Sequence, residues 1–166
     1  EDREKHGLVG PHSGADNLVL NRYFKAPFAR RAIRQTGAIK DEAQKLVDEY
    51  DVRTASIDSP LRTLSGGNKQ KVIAAREFSQ NAKFLVAAQP TRGIDVGSIE
   101  FVHQQLVDQR DDGIAVLLVS AELDEIMSLS DRIGVIYQGR LVAIGNAEDF
   151  TRNQIGQLMA SGSANA

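Results

Sequence analysis

The chain lacks several features that would assign it to other protein classes. Its 166 residues include no cysteine, which excludes a disulfide framework and a thiolate metal site. No run approaches the roughly eighteen apolar residues that a membrane span needs, and no signal peptide is visible. Neither sign of charge dominates, because 20 Lys and Arg residues stand against 22 Asp and Glu residues. The resulting net charge of −2 does not favour nucleic acid as a partner.

The composition is that of an ordinary soluble globular protein. Hydrophobic residues make up 42% and charged residues 25% of the chain, both close to average usage. The length fits one domain, or one domain with a small appended lobe. The chain begins at Glu1 rather than at a methionine, which suggests an excised or processed piece.

One stretch, residues 64–71, has the features of a helix N-terminus that is open to an anion. It consists of Leu-Ser-Gly-Gly-Asn-Lys-Gln-Lys. Ser65 can cap the helix, and Gly66 and Gly67 let a ligand approach the backbone without a Cβ in the way. The free N–H groups and the positive end of the helix dipole then favour phosphate. On the three residues Ser-Gly-Gly alone, a plain glycine-rich turn explains the pattern as well.

The full octet resembles the signature motif of ABC-transporter ATPases, in the form typical of simple-sugar and nucleoside importers. Residues 89–95 (Gln-Pro-Thr-Arg-Gly-Ile-Asp) and residues 118–133 match further motifs of that family in the same order. The resemblance therefore covers nearly the whole chain. In that family the signature closes over the γ-phosphate of ATP held by a second, facing domain. The resemblance implies that nucleotide is bound by Ser65, Gly66, Gly67 and Asn68.

Three positions that carry catalysis in the family are changed in this chain. Ala88 and Gln89 stand where the family has Asp-Glu, and Ala121 stands where it has a histidine. Alanine has no side-chain oxygen for a hard cation. A glutamine amide cannot accept a proton at pH 7, and losing a positioned base costs about 10²–10⁴ in rate. The resemblance thus implies that no catalytic residue is intact, that the chain has no metal site, and that its own ATP site is degenerate.

A second loop matches the family at residues 92–95, Arg-Gly-Ile-Asp. The resemblance implies that Gly93 and Asp95 belong to the loop that crosses the dimer interface and reports on the opposite site. The residues alone allow a simpler role for Asp95, which is to cap the helix that follows, and the two roles are compatible. His103 lies beside the apolar stripe of that helix and is interpreted as structural.

Hydrophobic periodicity predicts a helical first part and an α/β second part. Residues 1–80 are interpreted as a helical lobe ending in the signature motif and its helix, 81–160 as the α/β half of a nucleotide-binding core, and 161–166 as a disordered tail. The predicted helices cover 13–27, 40–50, 66–80, 97–112, 122–129 and a segment after Asn146 that fades near Met159. The predicted strands cover 84–88, 114–119, 132–137 and 141–144, with the last two forming a hairpin.

The order of strands and helices predicts a parallel α/β sheet with buried strands. No Gly-x-x-x-x-Gly-Lys-Ser/Thr phosphate loop occurs. By resemblance that motif precedes the helical lobe, so we expect a truncated P-loop NTPase-like (ABC ATPase) core from which the Walker A half is absent. The chain would be the C-terminal part of the second, degenerate nucleotide-binding domain. Glu1 would stand near the family's glutamine loop, or simply in a solvated terminus, and what covers the exposed sheet edge stays open.

The first hypothesis is that the chain is a signature donor in an ABC importer for sugars or nucleosides. The implied cofactors are ATP and Mg²⁺ in the full assembly, with none bound to the isolated chain, which is predicted to be inactive. The implied partners are a second nucleotide-binding domain and membrane-spanning permease subunits, with a possible homodimer of the fragment. The protein would be cytoplasmic and peripheral on the inner face of the cell membrane.

Two alternatives belong to other functional classes. One is a non-enzymatic module whose helical lobe docks on a membrane subunit and whose ATPase motifs are relics. The other is a soluble ABC ATPase of DNA repair, which fits poorly with the charge of −2 and with the absence of a long coiled coil. A basic cluster of Arg30, Arg31 and Arg34 is interpreted as a solvated surface rather than a nucleic-acid patch.

Overall fold

The computed structural model of the chain describes residues 7–80 and 82–163. These residues form two compact units. Of the described residues, the first unit holds 7–80, 82–83 and 91–113, and the second holds 84–90 and 114–163. The helix that follows the second motif therefore belongs to the same unit as the signature motif. Glu1 lies outside the described residues.

The first unit is mainly helical. Its described elements are α1 (Gly14–Leu18), β1 (Ala29–Arg30), β2 (Ile33–Arg34), α2 (Thr36–Glu49), a 3₁₀ turn (Leu61–Thr63), α3 (Gly66–Phe78) and α4 (Val96–Asp111). The strands β1 and β2 pair antiparallel as a two-residue hairpin. Its core is formed by side chains from several of these elements, among them Leu18, Val19, Leu46, Leu61 and Val72, which are at most 1% exposed.

One buried polar side chain ties the start of this unit together. Asn17 is fully buried. Its Oδ1 accepts from the backbone N of Val9 at 2.8 Å, and its Nδ2 donates to the backbone oxygens of Val9 at 3.1 Å and Ser13 at 2.9 Å. A buried amide that makes three hydrogen bonds avoids the cost of an unpaired polar group.

The predicted helix from 13 to 27 is shorter in the structure. It ends at Leu18, and Val19 is its C-cap. The chain continues in turns whose N–H groups reach only three residues back, from Arg22 to Val19 and from Lys25 to Arg22. Tyr23 is 48% exposed, so no buried apolar stripe extends past residue 19 to hold a longer helix. Helix α2 begins at Thr36, four residues before the predicted start.

The second unit contains two separate two-stranded sheets among its described residues. Strand β3 (Phe84–Ala88) pairs in parallel with β4 (Ala115–Val119), and β5 (Arg132–Tyr137) pairs antiparallel with β6 (Arg140–Asn146). Helix α5 (Leu123–Leu129) lies between them in sequence, and a 3₁₀ turn (Ala147–Asp149) and α6 (Arg152–Ser161) follow. A small core joins the hairpin to α6 through Ile133, Val135, Ile155 and Leu158.

Two strand predictions need correction. The third predicted strand, β5, is not hydrogen-bonded to the parallel pair but forms its own sheet with β6. The parallel strands are also not fully buried, since Phe84, Val86, Leu117 and Val119 are 46–56% exposed. The apolar run at 84–88 is typical of a strand covered on both faces, whereas the described residues of this unit leave alternate side chains of both strands open to solvent.

The end of the last helix is set by a glycine. Helix α6 begins with a capping box formed by Thr151 and Gln154, and it ends at Gly162, whose φ of 74° lies in the left-handed region. Glycine adopts that conformation without a steric penalty. Of the predicted disordered tail, residues 164–166 lie outside the described residues. None of the described helices is long and apolar enough to cross a membrane.

Candidate functional site

The signature helix α3 has the capped, open N-terminus that its sequence predicts. Ser65 is in an extended conformation (φ −64°, ψ 161°) at the N-cap, and its Oγ accepts from the backbone N of Asn68 at 3.4 Å. Ser65 and Gly66 are exposed, and a Cβ placed on Gly66 would meet nothing within 4 Å. The start of this 13-residue helix is therefore exposed at Ser65 and Gly66, and the N–H groups of a first helical turn are the donors that an anion takes.

The side chain of Asn68 is used inside the protein. Its Nδ2 donates to Ser65 Oγ at 3.0 Å, and its Oδ1 accepts from the backbone N of Arg53 at 2.7 Å. One amide thus connects the capping serine to the loop that follows α2. This arrangement holds the Ser65 hydroxyl next to the helix N-terminus, where it also accepts from the backbone N of Asn68. The N–H groups that the first turn can offer to a ligand are then those of Gly66 and Gly67.

The second motif loop ends in a capped helix. Asp95 is the N-cap of α4, where its Oδ1 accepts from the backbone N of Ser98 at 3.0 Å and its Oδ2 accepts from Ser98 Oγ at 2.9 Å. These hydrogen bonds from Ser98 lower the pKa of the Asp95 carboxyl because they favour the charged form. The capping role predicted for Asp95 is confirmed. Gly93 has a φ of 70°, a backbone conformation that residues other than glycine rarely adopt.

The structure brings the signature and the Asp95 loop together within the first unit. Gly67 is buried, unlike Gly66, and it faces the side chains of Asp95 and Ser98. The glycine pair therefore has two different surroundings: Gly66 opens to solvent and Gly67 lies against the start of α4. Ser98, which is 7% exposed, is a site neighbour that sequence reasoning missed.

Lys71 is a second residue that the motif alone did not single out. Its Nζ donates to Asp51 Oδ2 at 2.7 Å and to the Asp51 backbone oxygen at 2.8 Å. The same Nζ lies 5.0 Å from the centroid of the Phe101 ring on α4. The hydrogen bond and charge of Lys71 lower the pKa of Asp51. Lys71 lies one turn after Gly67 on the same face of α3, and this spacing is the sequence signal that would have indicated it.

The three positions that the resemblance identifies as changed, Ala88, Gln89 and Ala121, lie at or just after the carboxyl ends of the parallel strands in the second unit. Ala88 is the last residue of β3 and pairs with Val119, the last residue of β4. Gln89 has a φ of 51°, and its backbone N donates to the Val119 oxygen at 2.7 Å. Ala121 follows two residues after β4 and is exposed. The ends of parallel strands are the usual edge for ligands in α/β sheets.

The chemistry of this edge does not fit a divalent cation. The side chains of Ala88 and Ala121 are methyl groups, and Gln89 offers only a neutral amide, whereas Mg²⁺ takes carboxylates in protein sites. Among residues 7–80 and 82–163, no group of three or more acidic or histidine side chains is placed to hold a metal ion.

Curated proteins with similar sequences are ATP-binding proteins of importers. The chain is 50% identical over 160 residues to the guanosine import ATP-binding protein NupO of Bacillus subtilis, which covers 96% of this chain and 31% of that protein. It is 44% identical over 165 residues to the nucleoside import ATP-binding protein NupA of Lactococcus lactis, covering 99% of this chain and 33% of that protein. The chain thus spans about a third of the length of these relatives. No protein-family model matches it.

Solved structures with a similar fold are ABC ATPase cassettes. The dimeric bacterial ABC transporter cassette MJ0796 matches with a TM-score of 0.70 and 22% identity, over 88% of this chain and 61% of that one. A putative metal-chelate type ABC transporter in an inward-facing conformation matches with a TM-score of 0.73 and 15% identity, over 90% of this chain and 58% of that one. At these identities the structures show the fold alone.

The signature helix, the capped Asp95 loop and the cassette fold agree with the sequence relatives. Over nearly its whole length this chain is similar to ATP-binding proteins of nucleoside and sugar importers, of which it spans about a third, and it has the fold of ABC ATPase cassettes.

Proposed function

We propose that the chain donates its signature motif to an ATP site whose phosphate-binding residues belong to a second nucleotide-binding domain. The observation that supports this proposal is the contrast between its two candidate sites. The N-terminus of α3 keeps a capping serine and an open first turn, whereas the strand ends carry Ala88, Gln89 and Ala121 in place of acid and imidazole groups. The start of α3 can therefore offer hydrogen-bond donors, whereas the side chains at these three strand-end positions offer no general base.

Such donors contribute directly to phosphoryl transfer. The reaction depends mostly on positioning and on stabilising charge that spreads over the phosphate oxygens. Preorganised N–H groups in a closed site supply that stabilisation, and removing one comparable donor costs about 10²–10³ in rate in other enzymes. Here the Ser65 hydroxyl and the backbone N–H groups of Gly66 and Gly67 would contact the γ-phosphate of ATP. In the full assembly ATP is accompanied by Mg²⁺, for which the side chains of Ala88, Gln89 and Ala121 provide no carboxylate.

The names of the relatives support an inference about the transported solute and the membrane partner. NupO and NupA are named as import proteins for guanosine and for nucleosides, and other similar proteins are named for glucose and ribose. We infer a nucleoside or a sugar as the solute, membrane-spanning permease subunits as partners, and a peripheral position on the cytoplasmic face of the membrane. The isolated chain is proposed to be inactive and to bind no nucleotide by itself.

The segment after α1 is the best candidate for docking on the permease. Tyr23, Phe24 and Ile33 are 48%, 60% and 68% exposed. The Tyr23 and Phe24 rings are in edge-to-face contact, with 5.5 Å between the ring centroids, and Lys25 Nζ lies 5.6 Å from the Phe24 centroid. Exposed aromatic side chains with an adjacent cation are typical of interface residues. The same segment supports the second candidate function, a docking module that makes no use of its signature.

A substitution in the intact transporter tests the signature role. Ser65→Arg removes the cap and places a long charged side chain over the first turn of α3, so we expect ATP-driven uptake to be abolished. Gln44→Arg is the matched control, because it adds the same charge at an exposed position of α2, and it should transport normally. Normal uptake by Ser65→Arg would end the proposal.

Cross-linking distinguishes the docking-module alternative. A cysteine introduced at position 65 should form an ATP-dependent product with a cysteine in the phosphate loop of the facing domain. The docking-module function predicts no product that depends on ATP. Disruption of uptake by changes at Tyr23 or Phe24 is expected in both cases, so the cross-link is the decisive measurement.

A further inference from the structure

The two glycines of the signature motif have different surroundings. A Cβ on Gly66 would have open space around it, but a Cβ on Gly67 would overlap Ser98 Oγ and lie 2.5 Å from Asp95 Oδ2. Both of these obstacles belong to the first unit of this same chain. A side chain at 67 would therefore force Ser98 Oγ and the Asp95 carboxylate to shift, before any ligand is considered.

Ser98 holds the obstacle in place. Its backbone N and its hydroxyl donate to the two different oxygens of the Asp95 carboxylate, at 3.0 and 2.9 Å. The carboxylate is thereby fixed in the orientation that places Oδ2 next to Gly67. Ser98 is buried while Asp95 is exposed, so the serine is the member of the pair that packing constrains.

A second contact, one turn further along, holds α3 and α4 together. Lys71 of α3 lies over the ring of Phe101 on α4, and Phe101 is also in edge contact with Tyr50 at 6.2 Å between ring centroids. Gly67 and Lys71 are four residues apart, and Ser98 and Phe101 are three apart, so each pair shares one face of its helix. The contact between α3 and α4 is thus continuous over a full turn.

We propose that Ser98 is a positioning residue for the signature motif: with the Asp95 carboxylate it forms a seat for Gly67 that fixes the direction of the first turn of α3. The signature and the Asp95 loop then move as one piece. This inference rests on the proposed function, because it assigns Ser98 a part in presenting Ser65 and Gly66 to a facing nucleotide. Ser98 acts through Gly67 and does not touch the nucleotide.

A rescue experiment in the intact transporter tests the seat. Gly67→Ala should lower ATP-driven uptake strongly, because the new methyl group displaces the carboxylate and tilts the first turn. In Gly67→Ala/Ser98→Ala the hydroxyl is gone, the carboxylate is free to turn away, and the remaining Ser98 Cβ distance of 3.5 Å is an ordinary contact. We expect the double variant to regain several-fold more uptake than Gly67→Ala alone. Gly66→Ala is the control variant: adding Ser98→Ala to it should not increase its ATP-driven uptake.

Each result decides for or against the seat. If Ser98→Ala fails to improve Gly67→Ala, the methyl group acts on the nucleotide directly and the proposal is overturned. If the double variant regains thermal stability without regaining uptake, Ser98 has only a structural role and the proposal is again overturned. If Gly67→Ala does not fold, Ser98→Ala alone is tested. We expect this variant to fold like the wild type, with lower uptake and a higher apparent KM for ATP. Wild-type values for both uptake and KM would contradict the proposal.

A separate measurement distinguishes this failure from failure of the proposed function. Amide hydrogen exchange at Asn68 and Lys69, followed in the same assembly without nucleotide, should become faster in Gly67→Ala and slow again in the double variant. Unchanged exchange overturns the seat, whatever Ser65→Arg does to uptake. Restored exchange and uptake in the double variant, with loss of uptake in Ser65→Arg, supports both inferences.

Discussion

The two units of the chain differ in how well they bury their apolar side chains. In the first unit, Leu18 and Leu46 are 0% and 1% exposed within a core that draws on several helices. In the second unit, Val86 and Leu117, which pair directly across β3 and β4, are 54% and 49% exposed. The first unit completes its core with its own residues, whereas the described residues of the second leave one sheet face open.

The difference follows from the geometry of the elements. A helix has one apolar stripe, which neighbouring helices cover. A parallel sheet has two faces, and parallel strands are normally covered on both. A pair of strands with cover on one side therefore exposes every second side chain, as Phe84 and Val86 show. An exposed apolar surface of this kind is typical of a contact surface.

The largest expected effect compares the same substitution in the two units. Leu46→Ala should lower the free energy of unfolding by about 2–5 kcal/mol, because it leaves a cavity in a closed core. Leu117→Ala is the matched control. It should lower the free energy of unfolding by less than about 1.5 kcal/mol, because the half-exposed Leu117 contributes only roughly half of the burial free energy of a leucine. Chemical denaturation of the chain measures both. Equal losses would contradict the contrast between the units.

A smaller effect is expected at the open sheet face. Val86→Lys places a charge in the middle of this face, so we expect weaker concentration-dependent association of the chain, measured by sedimentation. The core of the first unit should unfold as in the wild type. Gln157→Lys, which adds the same charge at an exposed position of α6, serves as control. Association that is identical in wild type and Val86→Lys would show that this face does not cause it.

The smallest expected effect concerns the Asp95 cap of the first unit. Its pKa is held below the ordinary value of 3.8 by the hydrogen bonds from Ser98. The ionised carboxylate therefore stabilises the fold above pH 3.8, and this contribution is lost as the pH falls through the lower folded pKa. Asp95→Asn should lower Tm by about 1–2 °C near pH 6, and the difference should shrink in acid.

Thermal melts over a pH series measure this effect. Asp41→Asn, at an exposed position of α2, controls for the loss of one charge. A difference between wild type and Asp95→Asn that stays constant down to about pH 2 would contradict the role of the ionised carboxylate. No comparable effect is expected at the strand ends of the second unit, because Ala88 and Gln89 do not titrate.

Local chemistry could be predicted from the sequence where it depends on neighbouring residues. Ser65 and Asp95 were predicted as helix caps from residue type and position, and both accept from the backbone N of the residue three positions on. The strand at 84–88 was predicted from its apolar run and has those bounds. The helix predicted over residues 13–27 ends at Leu18 in the structure. This prediction was wrong beyond Leu18, because periodicity alone could not show that Tyr23 faces solvent.

Contacts between distant residues could not be predicted in this way. Nothing in the Gly-Gly pair indicates that one glycine opens to solvent and the other lies against Ser98, which is 31 positions further on (98 − 67). The hydrogen bond from Lys71 to Asp51 likewise depends on how α3 passes the end of α2. The pairing of β5 with β6 instead of with the parallel strands is also a property of the fold.

The sequence by itself determined which chemistry this chain can offer: a capped helix with an open first turn, and strand ends without acid or base. Those properties belong to side chains and to hydrogen bonds that span three or four residues. Only the tertiary structure decided which glycine of the pair lies open, that the other packs against Ser98 and Asp95, and which apolar face of the described residues is left uncovered. Such features depend on the approach of segments far apart in the chain, and only close packing in the folded unit fixes that approach.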